Sequence, residues 1–294
     1  MASTFLCLFL LAAQAGYDTA LENYRAGRLA ESQALLEDLI EQGSGEAKVF
    51  GLLAWCHHRQ GRPNKALAAI RRAIELAPDE VTWYNQAAQI LLENRAFEAA
   101  YRTAVKALDV DPDSAQAWKL KGRLELERGA KKQALKSFLR STELNPEDPE
   151  ALMWLGIARA AMWEYEEAAA VFERGIARFP MFAPMYAAYG GLLLEPRAHP
   201  DAKTKKRAQA LIEKALALDP ALPYAHYDLG KLLLQEGEVG EAVQHLEAAV
   251  RLDPRNSQYR LMLANAYRSA GRRKDQAREL DVYRKLKAQE AGRK

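Results

Sequence analysis

Small and apolar residues recur along the chain at the spacing of amphipathic helices, and these helices come in pairs. Between Ala47 and Glu80 the apolar side chains fall three and four residues apart in two stretches, one on each side of Gly61. This spacing places apolar side chains on one face of a helix. A glycine between the stretches can adopt the left-handed conformation that ends a helix. The segment therefore predicts a helical hairpin.

Prolines mark the ends of successive hairpins. Five intervals separate six of them; four intervals are 34 residues long and one is 40, at Pro78, Pro112, Pro146, Pro180, Pro220 and Pro254. Proline disfavours helical geometry in the residue before it, so the second helix of each unit should stop there. Asp or Asn precedes four of these prolines, and both residues favour turns. Ser114 and Asp148 stand where caps of the next helix are expected. The chain is thus a tandem repeat.

On these residues the chain resembles a prokaryotic array of tetratricopeptide repeats (TPRs). Small residues occupy the eighth, twentieth and twenty-seventh positions of most units, as in Ala54, Ala66 and Ala73, and proline occupies the thirty-second. The first and last units depart from this pattern, as expected for the ends of a solenoid. The resemblance implies an all-α fold, a superhelical solenoid of about eight helical hairpins in one domain over residues 16–294. The repeats are read at residues 13–46, 47–80, 81–114, 115–148, 149–182, 183–222, 223–256 and 257–290.

The interval of 40 residues indicates an insertion in the sixth repeat. Six additional residues lie between Gly190 and Ala208, within the segment LEPRAHPDAKTKKRA. The insertion should lengthen the connection between two helices and leave both packing faces in register. Its basic residues predict a solvated, extended helix start, with contact to an acidic partner as the alternative.

The first residues carry the one targeting signal in the sequence. An apolar run from Phe5 to Ala12 precedes Ala13-Gln14-Ala15, a pattern that suits cleavage by signal peptidase. The run is too short to span a membrane. We therefore expect residues 1–15 to be a signal peptide and the protein to be exported by a bacterium, to the periplasm or beyond. The alternative is an apolar first helix in a cytoplasmic protein.

Catalytic chemistry finds little support in the sequence. Cys56, His57 and His58 are the densest cluster of metal-ligand types, but adjacent helical residues point about 100° apart and cannot converge on one ion. Cys56 and His57 are expected to pack inside the hairpin. No nucleotide-binding glycine motif occurs, and a net charge of +3 is too small and too evenly mixed to indicate nucleic acid. We predict no enzyme activity, no cofactor and no metal.

The resemblance also implies where a partner binds. In TPR proteins the first helix of each hairpin lines a concave groove through its second, fifth, ninth and twelfth positions. Lys119 and Arg123, one helical turn apart, are expected to hold a carboxylate together, and Trp55 to act as an aromatic anchor. The candidate partner-binding residues are Tyr17, Trp55, His58, Asn85, Gln89, Lys119, Arg123, Met153, Ile157, Tyr227, Lys231 and Asn265.

The resulting hypothesis is a non-catalytic scaffold that binds a partner protein or an extended peptide in this groove. One alternative is an adaptor or assembly factor that works with a separate catalytic partner. A metal-dependent enzyme would have to use Cys56 and His58. An RNA-binding solenoid would need a more basic groove than Met153 and Ile157 supply.

Overall fold

A computed structural model describes residues 2–195 and 200–291, with side chains from residue 13 onward, and every regular element in that part of the chain is an α-helix. Consecutive helices pair into eight hairpins, which confirms the predicted all-α fold. The helices are α1 (Ala2–Arg25), α2 (Leu29–Glu41), α3 (Ala47–Arg59), α4 (Pro63–Leu76), α5 (Val81–Glu93), α6 (Phe97–Val110), α7 (Ala115–Glu127), α8 (Lys131–Leu144), α9 (Pro149–Ala161), α10 (Tyr165–Arg178), α11 (Ala183–Leu193), α12 (Ala202–Leu218), α13 (Pro223–Glu236), α14 (Val239–Leu252), α15 (Ser257–Ser269) and α16 (Arg273–Ala291).

The chain divides into two compact units, each with four hairpins. Unit 1 is Met1–Pro146 and contains α1 to α8; unit 2 is Glu147–Lys294 and contains α9 to α16. Within each unit the odd-numbered helices also contact one another, α1 with α3, α3 with α5 and α5 with α7 in unit 1. The same holds for α9, α11, α13 and α15 in unit 2. These odd-numbered helices form the inner layer of each unit. That residues 16–294 form one continuous solenoid stays a prediction.

A small residue on the first helix lets the two helices of a hairpin pack closely, and in most hairpins it faces a bulky residue of the second helix. The eighth repeat position of the first helix lies against the twenty-fourth position of the second, and both are buried. A Cβ atom added to Gly156 would lie 2.7 Å from the Phe172 ring, and one added to Gly230 would lie 2.7 Å from Leu246. Carbon atoms do not approach so closely without displacement, so the absence of a side chain at these glycines sets the distance between the helices.

The turn inside a hairpin requires left-handed backbone at the fifteenth repeat position. Gly61 has φ of 71° and Gly129 has φ of 74° there. In the hairpins where glycine is missing, Arg95 (φ 60°) and Trp163 (φ 66°) adopt the same conformation. Side chains other than glycine rarely do so. The turn geometry is therefore imposed by the packing of the two helices, even where the local residue disfavours it.

The aspartates before the prolines form the turns that the sequence predicts. Asp219 Oδ1 accepts a hydrogen bond from the Ala221 amide at 2.8 Å, and Asp111 Oδ1 accepts one from the Asp113 amide at 3.0 Å. In each case the side chain bridges the intervening proline, which has no amide hydrogen to donate. The end of one repeat is thus fixed by residues two apart in sequence.

Both predicted helix caps are confirmed. The Ser114 hydroxyl accepts a hydrogen bond from the Ala117 amide at 3.3 Å at the start of α7. Asp148 accepts one from the Glu150 amide at 2.9 Å at the start of α9. Each cap satisfies an amide that the first helical turn leaves without an intrahelical partner.

The sixth-repeat insertion lengthens both the connection and the helix that follows it. α11 ends at Leu193, and α12 begins at Ala202 and has 17 residues where most second helices have 14. The basic residues Lys203, Lys205, Lys206 and Arg207 lie in its first turns, as predicted for an extended helix start. Residues 196–199 of the insertion, including His199, lie outside the described residues.

We predict that Gly156→Ala lowers the free energy of unfolding by about 1–3 kcal/mol, because the new methyl group collides with Phe172. Chemical denaturation measures this loss. The matched control makes the same change in a Phe172→Ala variant. There Gly156→Ala should change the free energy of unfolding little, because two alanines can face each other in a hairpin. The α5–α6 hairpin already pairs a buried Ala88 with a buried Ala104. An equal loss in both backgrounds would show that the Phe172 contact does not set the helix separation.

Candidate partner-binding site

Five of the predicted residues lie together on the inner layer of unit 1 and remain partly accessible. We call this set the unit 1 face: Tyr17 on α1, Trp55 and His58 on α3, and Asn85 and Gln89 on α5. All five side chains are half-buried. By contrast, the neighbouring Cys56 and His57 are buried in the hairpin, as predicted.

Hydrogen bonds link the unit 1 face across three helices. His58 Nε2 lies 2.5 Å from Glu93 Oε2, and Gln89 Nε2 donates to Glu93 Oε1 at 2.7 Å. Gln116 Nε2 on α7 donates to Gln89 Oε1 at 3.4 Å. The edge of the His58 ring contacts Trp55, with ring centroids 5.7 Å apart. The sequence interpretation missed Glu93 and Gln116, because it considered one helix face at a time.

The two ends of the unit 1 face are shaped by intramolecular contacts. Lys48 Nζ lies 4.9 Å from the centre of the Tyr17 ring and donates a hydrogen bond to Gln14 at 2.6 Å. At the other end Asn85 Nδ2 donates to the Ser114 hydroxyl at 3.0 Å, so it supports the cap of α7. The buried Asn85 Oδ1 has no hydrogen-bond partner among the described residues.

Lys119 and Arg123 do not form an exposed pair of cations. Lys119 is only 5% exposed and Arg123 is half-buried. Each already has an interaction within the chain. Their joint binding of a carboxylate stays a prediction, but Lys119 does not present its side chain on an open surface. Burial of a lysine stem in this way depends on neighbouring helices that a single-helix pattern does not reveal.

The predicted residues of α9 contribute apolar groups to unit 2. Met153 is 8% exposed and belongs to a core cluster with Phe172, Met185 and Tyr189. Ile157 packs against the same cluster. These side chains serve mainly the packing of α9 against α10 and α11. Asn265 on α15 is half-buried.

The remaining inner surface of unit 2 surrounds a carboxylate that the sequence interpretation missed. We call it the Asp228 surface: Gly191 on α11, Tyr224, Tyr227 and Asp228 on α13, and Tyr259 on α15. Asp228 Oδ2 lies 3.0 Å from the point where a Cβ atom of residue 191 would stand. The Tyr227 and Tyr259 rings lie 5.0 Å apart at 33°. Residues 224 and 228 are four apart on one helix, which is the signal that could have found them.

The electrostatics of Asp228 are unusual for a half-buried acid. Burial raises its pKa from the usual 3.8 to about 6, and the positive charge of Lys231 offsets only part of the rise. In the described part of the chain the carboxylate has no hydrogen-bond or ion-pair partner. The pKa values of Tyr224 and Tyr259 are raised by burial, with Asp228 among the negative charges that add to the rise. The chain therefore keeps a poorly solvated negative charge without compensating it.

Two histidines of the seventh repeat, one on α13 and one on α14, also meet in unit 2. His226 Nδ1 lies 2.9 Å from His245 Nδ1, and His226 Nε2 lies 3.1 Å from the Pro220 carbonyl oxygen. Burial lowers the pKa of His245, as does the neighbouring His226. Among the residues that the structure describes, no group of three or more His, Cys, Asp or Glu side chains could hold a metal ion.

Unit 1 also has a cleft on its outer side, between α4, α5 and α6. It has a volume of about 450 Å³. Its lining combines apolar side chains such as Ile70, Ile74 and Leu91 with the cations Arg71, Arg102 and Lys106. This cleft is separate from the unit 1 face and offers a second surface against which binding there can be compared.

Two family models, both described as tetratricopeptide repeat, match the chain. One matches residues 57–124, 201–266 and 233–291, and the other matches residues 17–81 and 131–181. Together these segments cover most of the sequence. The chain belongs to the tetratricopeptide repeat family. This confirms the resemblance drawn from the proline and small-residue spacing.

Solved structures agree on the TPR fold. A tetratricopeptide repeat protein from Parabacteroides merdae is 18% identical with a TM-score of 0.71, and the alignment covers 87% of this chain and 99% of that one. Yeast Tom70 is 20% identical with a TM-score of 0.64, over 95% and 65% of the two chains. The pilF protein of Pseudomonas aeruginosa is 17% identical with a TM-score of 0.60, over 74% and 96%. At these identities the likeness concerns the fold alone. No curated protein sequence matches the chain.

Membership of the TPR family carries a general function. TPR repeats typically mediate protein–protein interaction, and the TPR fold is generally a non-catalytic scaffold. None of the helices in residues 2–195 and 200–291 has both the length and the hydropathy of a membrane span. Which residues touch a partner stays a prediction for all twelve candidates.

The raised pKa of Asp228 predicts that the free energy of unfolding depends on pH. Between about pH 4 and 6 the folded chain holds a proton that the unfolded chain releases, so the free energy of unfolding falls as pH rises through this window. We expect Asp228→Asn to be more stable than the natural chain by about 1–3 kcal/mol at pH 7.5 and equal to it at pH 4. Denaturant titrations at both pH values measure the difference. A pH-independent difference would contradict the assignment.

Proposed function

We propose that this TPR protein is a non-catalytic scaffold that binds an extended segment of a partner protein on the inner faces of its hairpins. The observation that carries the proposal is the set of partly exposed aromatic and polar side chains of the unit 1 face, held in place by the hydrogen bonds from His58 to Gln116. The packing of each hairpin rests instead on the opposite, small-residue face of the same helices. The unit 1 face is therefore available for recognition.

Trp55 and His58 are the proposed centre of this recognition. A tryptophan ring buries a large apolar area at small entropic cost when a segment covers it, and such rings are common among residues that dominate binding energy. The neighbouring His58 and Gln89 can exchange hydrogen bonds with the backbone of the bound segment. Because these polar groups are already oriented by Glu93, little freedom is lost on binding.

An adaptor or assembly factor that brings its partner to a separate enzyme would use the same surface. The identity of the captured partner distinguishes the two roles, since an adaptor retains a catalytic protein in its complex. Neither role requires a nucleic acid, because the unit 1 face presents no regular array of cations.

We predict that a Trp55→Ala, His58→Ala double variant binds the partner at least about 30-fold more weakly, which corresponds to the loss of about 2 kcal/mol. The partner is first captured from native extract with the intact chain and then purified, and its affinity is measured by calorimetry. Trp163→Ala is the matched control, because Trp163 lies in a hairpin turn and is 61% exposed. Unchanged affinity in the double variant with equal helicity would refute binding on the unit 1 face.

If the partner does not bind to the unit 1 face, charge-reversal variants test whether it binds in the outer cleft. Arg71→Glu and Lys106→Glu leave the inner layer untouched, because both side chains are exposed on even-numbered helices. Loss of the partner in this variant alone would place recognition on the outer side of unit 1. The buried Lys119 is unsuitable for such a test, since its removal would also alter packing.

We also propose that the protein is exported and that residues 1–15 are removed. Ala13-Gln14-Ala15 supports this proposal, although α1 runs continuously through that segment and Gln14 accepts a hydrogen bond from Lys48. Mass spectrometry of the protein isolated from its native source is expected to give an amino terminus at Gly16. An intact first segment in a cytoplasmic fraction would contradict export.

A further inference from the structure

The Asp228 surface contains an uncompensated acceptor in a setting where proteins usually provide a partner. Buried or half-buried carboxylates are as a rule paired or hydrogen-bonded, because transfer of a charge from water to protein is costly. Asp228 has neither kind of partner among the described residues. The hydroxyl groups of Tyr224, Tyr227 and Tyr259 likewise form no hydrogen bond there. Four polar groups on α13 and α15 thus have no hydrogen-bond partner in the described part of the chain.

The residue that lies directly beside this carboxylate on α11 is a glycine, Gly191. A Cβ atom at that position would lie 3.0 Å from Asp228 Oδ2 and would cover it. Unlike Gly156 and Gly230, whose missing side chains make room for a bulky residue of the paired helix, Gly191 faces no other group than Asp228 within 4 Å. Packing of the hairpin therefore does not require glycine here. Its effect is that no side chain of residue 191 lies against the carboxylate.

Aromatic rings from α13 and α15 belong to the same surface. The Tyr227 and Tyr259 rings lie 5.0 Å apart at an angle of 33°, and Tyr259 is largely buried and so fixed in position. Aromatic faces attract cations because their electron density is concentrated above the ring. A carboxylate beside tyrosine rings presents negative potential from several sides, which suits a positively charged ligand and repels an anion.

Among the described residues, Lys231 is the one cation whose charge acts on Asp228. Its charge lowers the pKa of Asp228, but it is not within ion-pair distance in the described structure. It therefore leaves the carboxylate open and acts as a weak competitor for any cationic ligand. The remaining charged groups near the rings are acidic: Asp219 lies near Tyr224, and Asp253 lies near Tyr259.

We propose that the Asp228 surface binds the side chain of an arginine or lysine presented by the partner's extended segment. The carboxylate of Asp228 accepts the charged hydrogen bonds, the Tyr227 and Tyr259 rings contact the cation, and Gly191 leaves room for the approaching side chain. This inference rests on the proposed binding to the inner faces, and it adds the chemistry of the ligand: at least one basic residue. An accessory role for Lys231 follows, since it opposes the incoming charge.

The test uses two synthetic peptides with blocked termini and a glycine-serine sequence. One has a central arginine, and the other has citrulline, which keeps the shape and loses the charge. Each is titrated at millimolar concentration into the full chain, and the tyrosine ring resonances are followed by NMR. The arginine peptide should bind at least tenfold more tightly than the citrulline peptide. Binding of the two peptides with equal affinity, or no binding of the arginine peptide, overturns the proposal.

Three variants separate a binding role from a structural one. Asp228→Asn keeps the side-chain volume and should weaken the arginine peptide at least tenfold. Gly191→Ala should do the same by covering the carboxylate. Lys231→Gln should bind the arginine peptide more tightly, a gain that damage to the fold would not produce. Arginine binding that is unchanged by Asp228→Asn in a folded protein excludes this carboxylate as the site.

The pH dependence gives an independent readout. Affinity for the arginine peptide should decline as pH falls through 6 and Asp228 becomes protonated, whereas the Asp228→Asn variant should show no such decline. The Trp55→Ala, His58→Ala variant should bind the arginine peptide as the natural chain does. If that variant loses the native partner while Asp228→Asn keeps it, the proposed function stands and the cation site is wrong. If both variants keep the native partner, binding to the inner faces itself fails.

Discussion

The close approach of two helices at a small residue of each hairpin is the constraint on which the rest of the structure depends. Where Gly156 meets Phe172, the two helices approach so closely that no methyl group fits between them. This approach commits one face of every odd-numbered helix to packing. The opposite face of the same helix contributes less to this packing, although side chains such as Met153 still belong to the core. A repeat of 34 residues thereby produces an inner layer whose exposed residues can vary without loss of the fold.

The two inner faces use this freedom differently. On the unit 1 face the polar groups satisfy one another, since His58, Glu93 and Gln89 are joined by hydrogen bonds. On the Asp228 surface the carboxylate is left without a partner, and its raised pKa means that the folded chain loses stability to keep it charged. Proteins retain charged groups that lower their stability mainly at functional sites. The first face is suited to neutral, extended backbone with an aromatic anchor, and the second to a cation.

The sequence predicts the fold well because the signals that define a hairpin are local. Proline at the end of a repeat, aspartate before it and a cap such as Ser114 act within a few residues, and all were found where predicted. The site is harder to predict because it depends on neighbouring helices. Lys119 satisfies the positional rule for a groove residue yet is buried, and Met153 satisfies it yet belongs to the core. Asp228 becomes distinctive only when Gly191 and Tyr259, from two other helices, are placed beside it.

The central claim, that a partner binds to the inner faces, is tested most directly by photo-crosslinking in the native extract. A benzophenone amino acid is introduced in place of Gln89, on the unit 1 face, and separately in place of Lys106, which is exposed in the outer cleft of the same unit. The account predicts that a partner protein crosslinks at position 89 and not at position 106. Crosslinking at position 106 alone would contradict it.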